Sequence, residues 1–219
     1  MLKQKKKISE RSIERLSIYR RYLKEIQSHG KARVYSHELA KIVSGTAAQV
    51  RRDLMEVGCS GCSSKGYEVD SLITEIGELL DCAEKERIAL IGVGNLGRAV
   101  LGFFSGKREN FEIVAVFDKD PEKTGRVVCG RRCYHMNELE TVFKKNKIST
   151  AIIAVPSEEA QEVAQTLIDA GVRAIINFAP TLIQCNNQVY VDTLDMTMAV
   201  EKAIYFSRSN YNNTKEGQQ

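Results

Sequence analysis

The sequence predicts an α/β protein: an N-terminal winged-helix domain over residues 1–82, a Rossmann-type doubly wound parallel sheet over 83–192, a C-terminal dimerisation helix over 193–208 and a disordered tail over 209–219. Three observations carry this reading. A glycine fingerprint, Gly92-Val93-Gly94-Asn95-Leu96-Gly97, lies between an apolar strand pattern and a helix pattern. Strand-like and helix-like stretches alternate from there to Phe178. Charge is split: residues 1–57 carry 14 Lys and Arg against 6 Asp and Glu, a net +8, while the remainder is −4 and the whole chain +4. A chain of 219 residues has room for two such cores.

The N-terminal module reads as three helices and a wing. From Ile8 to Gln27, the residues Ile13, Leu16, Tyr19, Leu23 and Ile26 recur at three- and four-residue steps and draw one apolar helix face. His29-Gly30 ends it, Gly30 suiting the C′ position. Ser36 offers an N-cap to a short helix with Leu39, Ala40, Ile42 and Val43, and Ser44-Gly45 turns the chain out of it. Thr46-Ala47-Ala48-Gln49 reads as a capping box, in which the Thr46 hydroxyl takes the Gln49 amide and the Gln49 side chain reaches back. The third helix buries Val50, Leu54 and Val57, leaving Ala47, Ala48, Gln49, Arg51, Arg52 and Met55 for its flanks and open side. Small residues permit close approach, and Gln and Arg can read base edges or grip phosphate.

Short helix, tight turn and Gln/Arg-rich helix follow the helix-turn-helix plan. Ser44, Thr46, Ala47, Ala48, Gln49, Arg51 and Arg52 are therefore candidate contacts to double-stranded DNA. Gly58 to Gly66 is a polar loop and Tyr67-Glu68-Val69 has extended character, which together would form the wing. A three-helix domain used for protein docking is the competing reading. Asp70 to Cys82 is amphipathic through Leu72, Ile73, Ile76, Leu79 and Leu80 and is expected as a linker helix.

Arg87 to Ile91 opens the second module. Gly92 permits the tight turn of the fingerprint, Gly94 lets backbone approach a pyrophosphate, and Gly97 lets helix pack on strand. Asp118, 21 residues after Gly97, ends the next strand pattern and is placed to accept from a ribose 2′-hydroxyl. A carboxylate there repels a 2′-phosphate and favours NAD over NADP, with Lys119, Arg131 and Arg132 acting the other way. After the Lys119-Asp120-Pro121 turn and a Cys-Gly-Arg-Arg-Cys segment, Asn137 is expected to cap a helix through Leu139, Val142 and Phe143. Thr150 to Val155 is an apolar strand stopped by Pro156, Ser157 to Ala170 a helix closed by Gly171, and Val172 to Phe178 a strand ending at Ala179-Pro180. Such units build a parallel, doubly wound sheet with ligands at the carboxyl ends of its strands. Gly92, Val93, Gly94, Asn95, Leu96, Gly97, Asp118, Lys119, Val155, Pro156, Asn177, Phe178 and Ala179 are candidate contacts to NAD(H).

What the chain lacks narrows its function. Its three histidines are His29, His37 and His135, two of them in the basic module, and no substrate domain follows the sheet. Hydride transfer to a carbonyl wants a positioned acid and a substrate pocket. His135 is either that acid or a loop histidine, and the nucleotide reads as sensed rather than consumed, so no catalytic residue is assigned. Six scattered cysteines in a fold that needs no staples argue against a secreted disulfide framework. Cys59-Ser60-Gly61-Cys62 has no further zinc ligands at hand, so no metal site is assigned; it is either a redox-active disulfide of the wing or two bystander thiols. No apolar run approaches the roughly 18 residues of a membrane span, and no signal-peptide core follows the early lysines, so a cytoplasmic protein without a membrane partner is expected. Thr193 to Ser207 forms a last helix whose Met196, Ala199, Val200, Ala203, Ile204 and Phe206 give more apolar surface than one sheet covers. Homodimerisation is its natural use, and a two-fold reader of DNA needs a dimer.

From about Ser12 to Phe206 the chain resembles the Rex family of NAD(H)-sensing bacterial transcriptional repressors. Six motifs carry the resemblance in order: Ala47-Ala48-Gln49-Val50-Arg51-Arg52-Asp53-Leu54, Gly66-Tyr67, Gly92 to Gly97, Phe117-Asp118-Lys119-Asp120-Pro121, Ala154-Val155-Pro156 and Asn177-Phe178-Ala179-Pro180. The resemblance implies a homodimer whose winged helices bind inverted-repeat (palindromic) operators. It further implies Rossmann domains that bind NADH in competition with NAD⁺, C-terminal helices exchanged between subunits as a domain swap, and release of DNA when NADH is high. By position it puts a switch pair at Arg21 in the first helix and Asp195 within Val-Tyr-Val-Asp-Thr-Leu-Asp. The chain departs from the family in two places. Phe103 stands where many members have a tyrosine near the nicotinamide, and the wing has Met55-Glu56-Val57-Gly58 and Ser63-Ser64-Lys65-Gly66, so that a contact normally made by arginine passes to Lys65. The rival readings are an NAD-dependent oxidoreductase with an accessory basic domain and a nucleotide- or CoA-binding structural subunit.

Overall fold

The computed structural model of the chain has two compact units, Met1–Ala83 and Glu84–Gln219. It describes residues 8–59, 65–82, 84–104, 110–185 and 188–216, with side chains as far as Arg208.

In the first unit, α1 (Glu10–Ser28) starts at Ser9, whose hydroxyl accepts from the Ser12 amide at 3.1 Å. It buries Leu16, Tyr19 and Leu23 on the expected face. Gly30, with φ +77°, closes it. A strand that the sequence pattern did not announce, β1 (Arg33–Val34), pairs antiparallel with β2 (Tyr67–Glu68) and forms the root of the wing. Two residues are too few to show a period. The next helix, α2 (Ser36–Ile42), is capped at Tyr35 and not at Ser36, because the Glu38 carboxylate accepts from the Tyr35 amide at 2.8 Å and draws that residue into the cap. At α3 (Ala47–Glu56) half of the expected capping box forms: Thr46 Oγ1 accepts from the Gln49 amide at 3.2 Å, whereas the Gln49 side chain donates to Asp53. The last helix, α4 (Val69–Leu80), was expected as a linker but is part of the core. Its Val69, Leu72 and Ile76 join Leu16, Leu23, Leu39, Val50 and Leu54 in one buried cluster, and Gln27–Asp70 and Arg20–Asp81 contacts tie it to α1.

The second unit runs β3 (Glu86–Ile91), α5 (Asn95–Phe104), β4 (Phe111–Asp118), β5 (Val127–Val128), β6 (Arg131–His135), α6 (Leu139–Asn146), β7 (Thr150–Ile153), α7 (Ser157–Asp169), β8 (Ala174–Asn177), β9 (Tyr190–Thr193) and α8 (Met196–Glu216). The sheet order is β5-β6-β4-β3-β7-β8-β9, parallel throughout except for the β5–β6 hairpin. From β6 onward this is the 3-2-1-4-5-6 order of a dinucleotide fold, which reverses between β3 and β7. Alternate residues of one strand serve two cores: Ala89 and Ile91 pack with α6 and α7, Ile88 and Leu90 with α5. That two-sided burial is why β3 and β7 read as unbroken apolar runs.

Other expectations need correction here. His135, not Asn137, starts the turn before α6, its Nδ1 accepting from the Asn137 amide at 3.3 Å. Residues 190–193 form an edge strand on β8, so the last helix begins later than Thr193. It then continues to Glu216 through residues expected as a tail, because no glycine or proline interrupts 196–216. Among the described residues, no helix is long and apolar enough to cross a membrane.

One buried carboxylate joins the helices of the first unit. Asp53 on α3, with its side chain 1% exposed, accepts from Arg15 Nε and Nη2 at 2.7 Å each, from Gln49 at 3.1 Å, from the Tyr19 hydroxyl at 3.1 Å and from Ser12 at 3.3 Å. Burial alone would raise its pKa, but the bonds from Arg15, Gln49 and Tyr19 outweigh it and hold the group below its ordinary 3.8. Removing Asp53 takes the acceptor from the buried Tyr19 hydroxyl and from Arg15, whose side chain is 21% exposed. Asp53→Ala should therefore destabilise the unit by about 1–3 kcal/mol, read as faster hydrogen exchange across α1 and α3. Because the folded pKa is depressed, this stabilisation is complete above the ordinary value and is lost as pH falls through the folded one. Asp53→Asn should flatten that acid limb; an unchanged limb would refute the assignment.

Candidate functional site

The second unit carries a cleft at the switch point of its sheet. Gly92, at φ +93°, lies where a Cβ would stand 2.5 Å from the Ala154 carbonyl, and a Cβ on Gly97 would meet the Gly92 carbonyl at 1.9 Å. Both glycines are therefore required by the fold itself. Gly94 differs: a Cβ there would meet nothing within 4 Å. The turn exposes bare backbone at that one point, the approach a pyrophosphate needs.

Asp118 sets the floor of this turn. Its Oδ2 accepts from the Val93 amide at 2.9 Å and its Oδ1 from the Asp120 amide at 3.0 Å, joining the ends of β3 and β4. Lys123 lies 3.4 Å from Asp118 and 3.3 Å from Asp120. Burial alone would lower its pKa, yet the two carboxylates outweigh it and hold the ammonium above the ordinary lysine value. The cations that argued for a 2′-phosphate have partners within the chain: Lys119 pairs with Glu159 at 2.7 Å at the cleft itself, Arg131 pairs with Glu112 and the Ile113 carbonyl, and Arg132 lies over the Tyr134 ring.

A cavity of about 580 Å³ opens between these groups. Of the candidate contacts named from the sequence, Gly92, Gly94, Asp118, Lys119, Val155 and Pro156 line it. Val93 and Gly97 are buried supports, Asn95 is exposed, Leu96 half-buried, and Phe103 is 68% exposed with its ring edge-on to Phe104. Asn177 is fully buried, its amide donating to the Ala179 and Thr181 carbonyls and accepting from the Ala179 amide. It shapes the loop after β8 and, with Phe178 and Ala179, is absent from the cavity wall. The sequence reading missed the face of α7 (Glu159, Glu162, Val163 and Thr166) and the turn His135-Met136-Asn137. The first shows at helical spacing on the face beside the buried Ala160, Ala164 and Leu167. The second needed β6 to be recognised as a strand, which its two arginines concealed. His135 is opposite Asp118 in the sheet register, and both line the cleft.

The first unit presents a separate polar face. Ser44 holds a left-handed turn at φ 50°, and Ser44, Thr46, Ala48, Arg51, Arg52 and Lys65 are exposed, with Ala47 and Gln49 half-buried. Met55 is 72% exposed on the same helix. Of the Cys-x-x-Cys pair, Cys62 lies outside the described residues. Cys59 is buried, and desolvation together with the Glu75 carboxylate pushes its thiol well above the ordinary range, which disfavours the reactive thiolate. Arg21 is exposed on α1. Asp195 is the N-cap of α8, its Oδ1 accepting from the Thr197 and Met198 amides at 2.8 and 3.2 Å. Arg21 and Asp195 belong to different units.

The comparisons agree with this division. A family described as "Putative DNA-binding protein N-terminus" matches residues 7–54, and one described as "CoA binding domain" matches 83–181. The "Redox-sensing transcriptional repressor Rex" of Listeria welshimeri is 38% identical over 206 residues, covering 94% of this chain and 96% of that protein. Among solved structures, RSP, a Rex-family repressor, in complex with β-NAD⁺ and operator DNA superposes with a TM-score of 0.86 at 28% identity, over 98% of this chain and 99% of that one. RSP in complex with β-NADH gives 0.83 at the same identity, over 98% and 100%. With a relative 38% identical along nearly its whole length, the chain belongs to the Rex family of redox-sensing transcriptional repressors.

Proposed function

We propose that this chain is a homodimeric, non-catalytic repressor that binds inverted-repeat operators in the cytoplasm and releases them when NADH occupies its cleft. The observation that carries the reading is the joining, in one chain, of a basic helix-turn-helix face to a glycine turn left open at Gly94 beside Asp118. RSP was solved with β-NADH and, separately, with β-NAD⁺ and operator DNA, which supports the same pairing of inputs here. The oxidoreductase reading loses support because His135 stands at the Asp118 end of the cleft.

Each residue has a part in this reading. Gly94 admits the pyrophosphate, Asp118 accepts from a ribose hydroxyl with the lone pairs left by Val93 and Asp120, and Val155 and Pro156 form the apolar wall. Asn177 holds the loop with Phe178 and Ala179 behind the cleft, and Phe103, where many members have a tyrosine near the nicotinamide, offers a ring but no hydroxyl. When bound, the dinucleotide supplies a ring whose charge and pucker differ between NAD⁺ and NADH. Arg51, Arg52 and Lys65 hold phosphate, while Ala47, Ala48 and Gln49 approach base edges, with Ser44 and Thr46 at the entry. The α8 helix leaves Met196, Met198, Val200, Ile204, Tyr205 and Phe206 exposed, and a second copy exchanging the same helix would cover them. NADH drives release only by binding the released form more tightly; a swing from about 1:99 to 99:1 takes roughly 5.5 kcal/mol of preference.

Titrating the full chain against an inverted-repeat duplex tests the whole reading: binding should weaken steeply with salt and be reversed by NADH, and turnover of a carbonyl substrate without DNA binding would refute it. Gly94→Ala should leave the melting temperature unchanged and weaken dinucleotide binding, whereas Gly97→Ala should lower the melting temperature itself. Equal behaviour of the two would count against the assigned roles. Asp195→Asn retains an N-cap and removes the charge. It should leave NADH affinity within about twofold while blunting NADH-driven release, a partition read by fluorescence and gel-shift titrations; parallel losses in both would remove Asp195 from the switch.

A further inference from the structure

We propose that Tyr35 and His37 form an additional contact to the sugar–phosphate backbone of duplex DNA, between the recognition helix α3 and the wing. The proposal rests on the DNA-binding reading above. Tyr35 is 39% exposed and His37 is also exposed, yet their rings are stacked, with centroids 5.6 Å apart and planes within 22°.

Both neighbouring elements fix the position of this pair. On one side the Tyr35 ring packs on Gly66 of the wing, where a Cβ would stand 3.1 Å from Tyr35 Cε1 and where φ is +68°. On the other, Ser36, the residue between them, accepts from Arg51 Nη1 of α3 at 3.3 Å. The Tyr35 amide is already bound by Glu38, so the backbone beneath the ring is set. The pair thus bridges Arg51 and the Lys65-Gly66 turn, the two exposed features assigned to DNA. A duplex that receives α3 in its major groove and the wing beside it must run a backbone past this bridge.

The chemistry suits phosphate and deoxyribose. Nearby cations are engaged: Lys31 with Glu38, and Arg33 with Glu68 and the Lys65 carbonyl, which also neutralises the two carboxylates that would repel DNA. Among the described residues, neither the Tyr35 hydroxyl nor the His37 ring has a hydrogen-bond partner. A phenol O–H and an imidazole N–H donate to phosphate oxygens, and the ring faces lie against sugar. Such contacts position the duplex without reading its sequence.

The test is an anisotropy titration of the full chain against two probes: the inverted-repeat duplex it selects from a randomised pool, and a scrambled duplex of equal length. Tyr35→Ser combined with His37→Ala should weaken both by about tenfold, as loss of two backbone contacts would. Tyr35→Phe, which keeps the ring on Gly66, should cost about threefold with an unchanged melting temperature. Full affinity in both variants overturns the proposal and leaves the DNA reading standing, and a loss confined to the selected duplex overturns it by marking a base contact. Failure of the unaltered chain to bind either probe overturns the DNA reading and this proposal with it.

Discussion

The bond from the Val93 amide to Asp118 is the constraint on which the cleft depends. It ties the loop after β3 to the end of β4, and it does so with the residue that a nucleotide ribose would address. A carboxylate has acceptor sites for about four hydrogen bonds, and Asp118 gives one to Val93 and one to Asp120. Lys123 offsets the burial of its charge. The Asp118 carboxylate is therefore held in place by the turn, and the turn stays narrow enough that Gly92 and Gly97 tolerate no side chain. Gly94 alone of these three has open space where a side chain would stand.

The first unit solves a related problem in the same way. Asp53, buried on α3, is bound by Arg15, Tyr19 and Ser12 from α1 and by Gln49 from its own helix. Gln49 is thereby held half-buried, while Arg51 and Arg52 remain on the open side. In each unit a buried aspartate fixes the backbone that carries the exposed groups. An ion pair with one buried partner is a poor source of net stability beside an apolar core; what the structure shows is that it links α1 to α3 through four side chains bound to one carboxylate.

Legibility in the sequence followed the strength of the local signal. The glycine turn, Asp118, the apolar strands β3 and β7 and the capped helix α3 were readable because each has a period, a cap or a steric requirement that acts within a few residues. β2 was legible in the extended character of Tyr67-Glu68-Val69, whereas its partner β1 was too short to show alternation, and β6 hid behind Arg131 and Arg132, which respectively pair with Glu112 and lie over the Tyr134 ring. Missing β6 meant missing the turn at His135 to Asn137, since the rule that ligands gather at carboxyl ends of strands needs the strand first. The fate of Gln49 was illegible for a different reason: its partner Asp53 is on the same helix, but what makes that carboxylate worth binding is Arg15, distant in sequence.

The α8 helix places a further demand on the chain. Its exposed Met196, Met198, Val200, Ile204, Tyr205 and Phe206 lie on more than one side, so the sheet that precedes it cannot cover them all. Burying side chains of this kind is worth about 1.5–3 kcal/mol each, enough for a partner surface to decide whether the helix is docked or loose. On the proposed reading that surface is a second copy, and stability then depends on protein concentration. Asp195, which starts this helix by capping Thr197 and Met198, would sit where a change in the cleft can alter both the cap and the helix behind it. A charge at that junction can influence a dimer's geometry while making little of the dinucleotide's binding energy, which is the separation that a sensor requires.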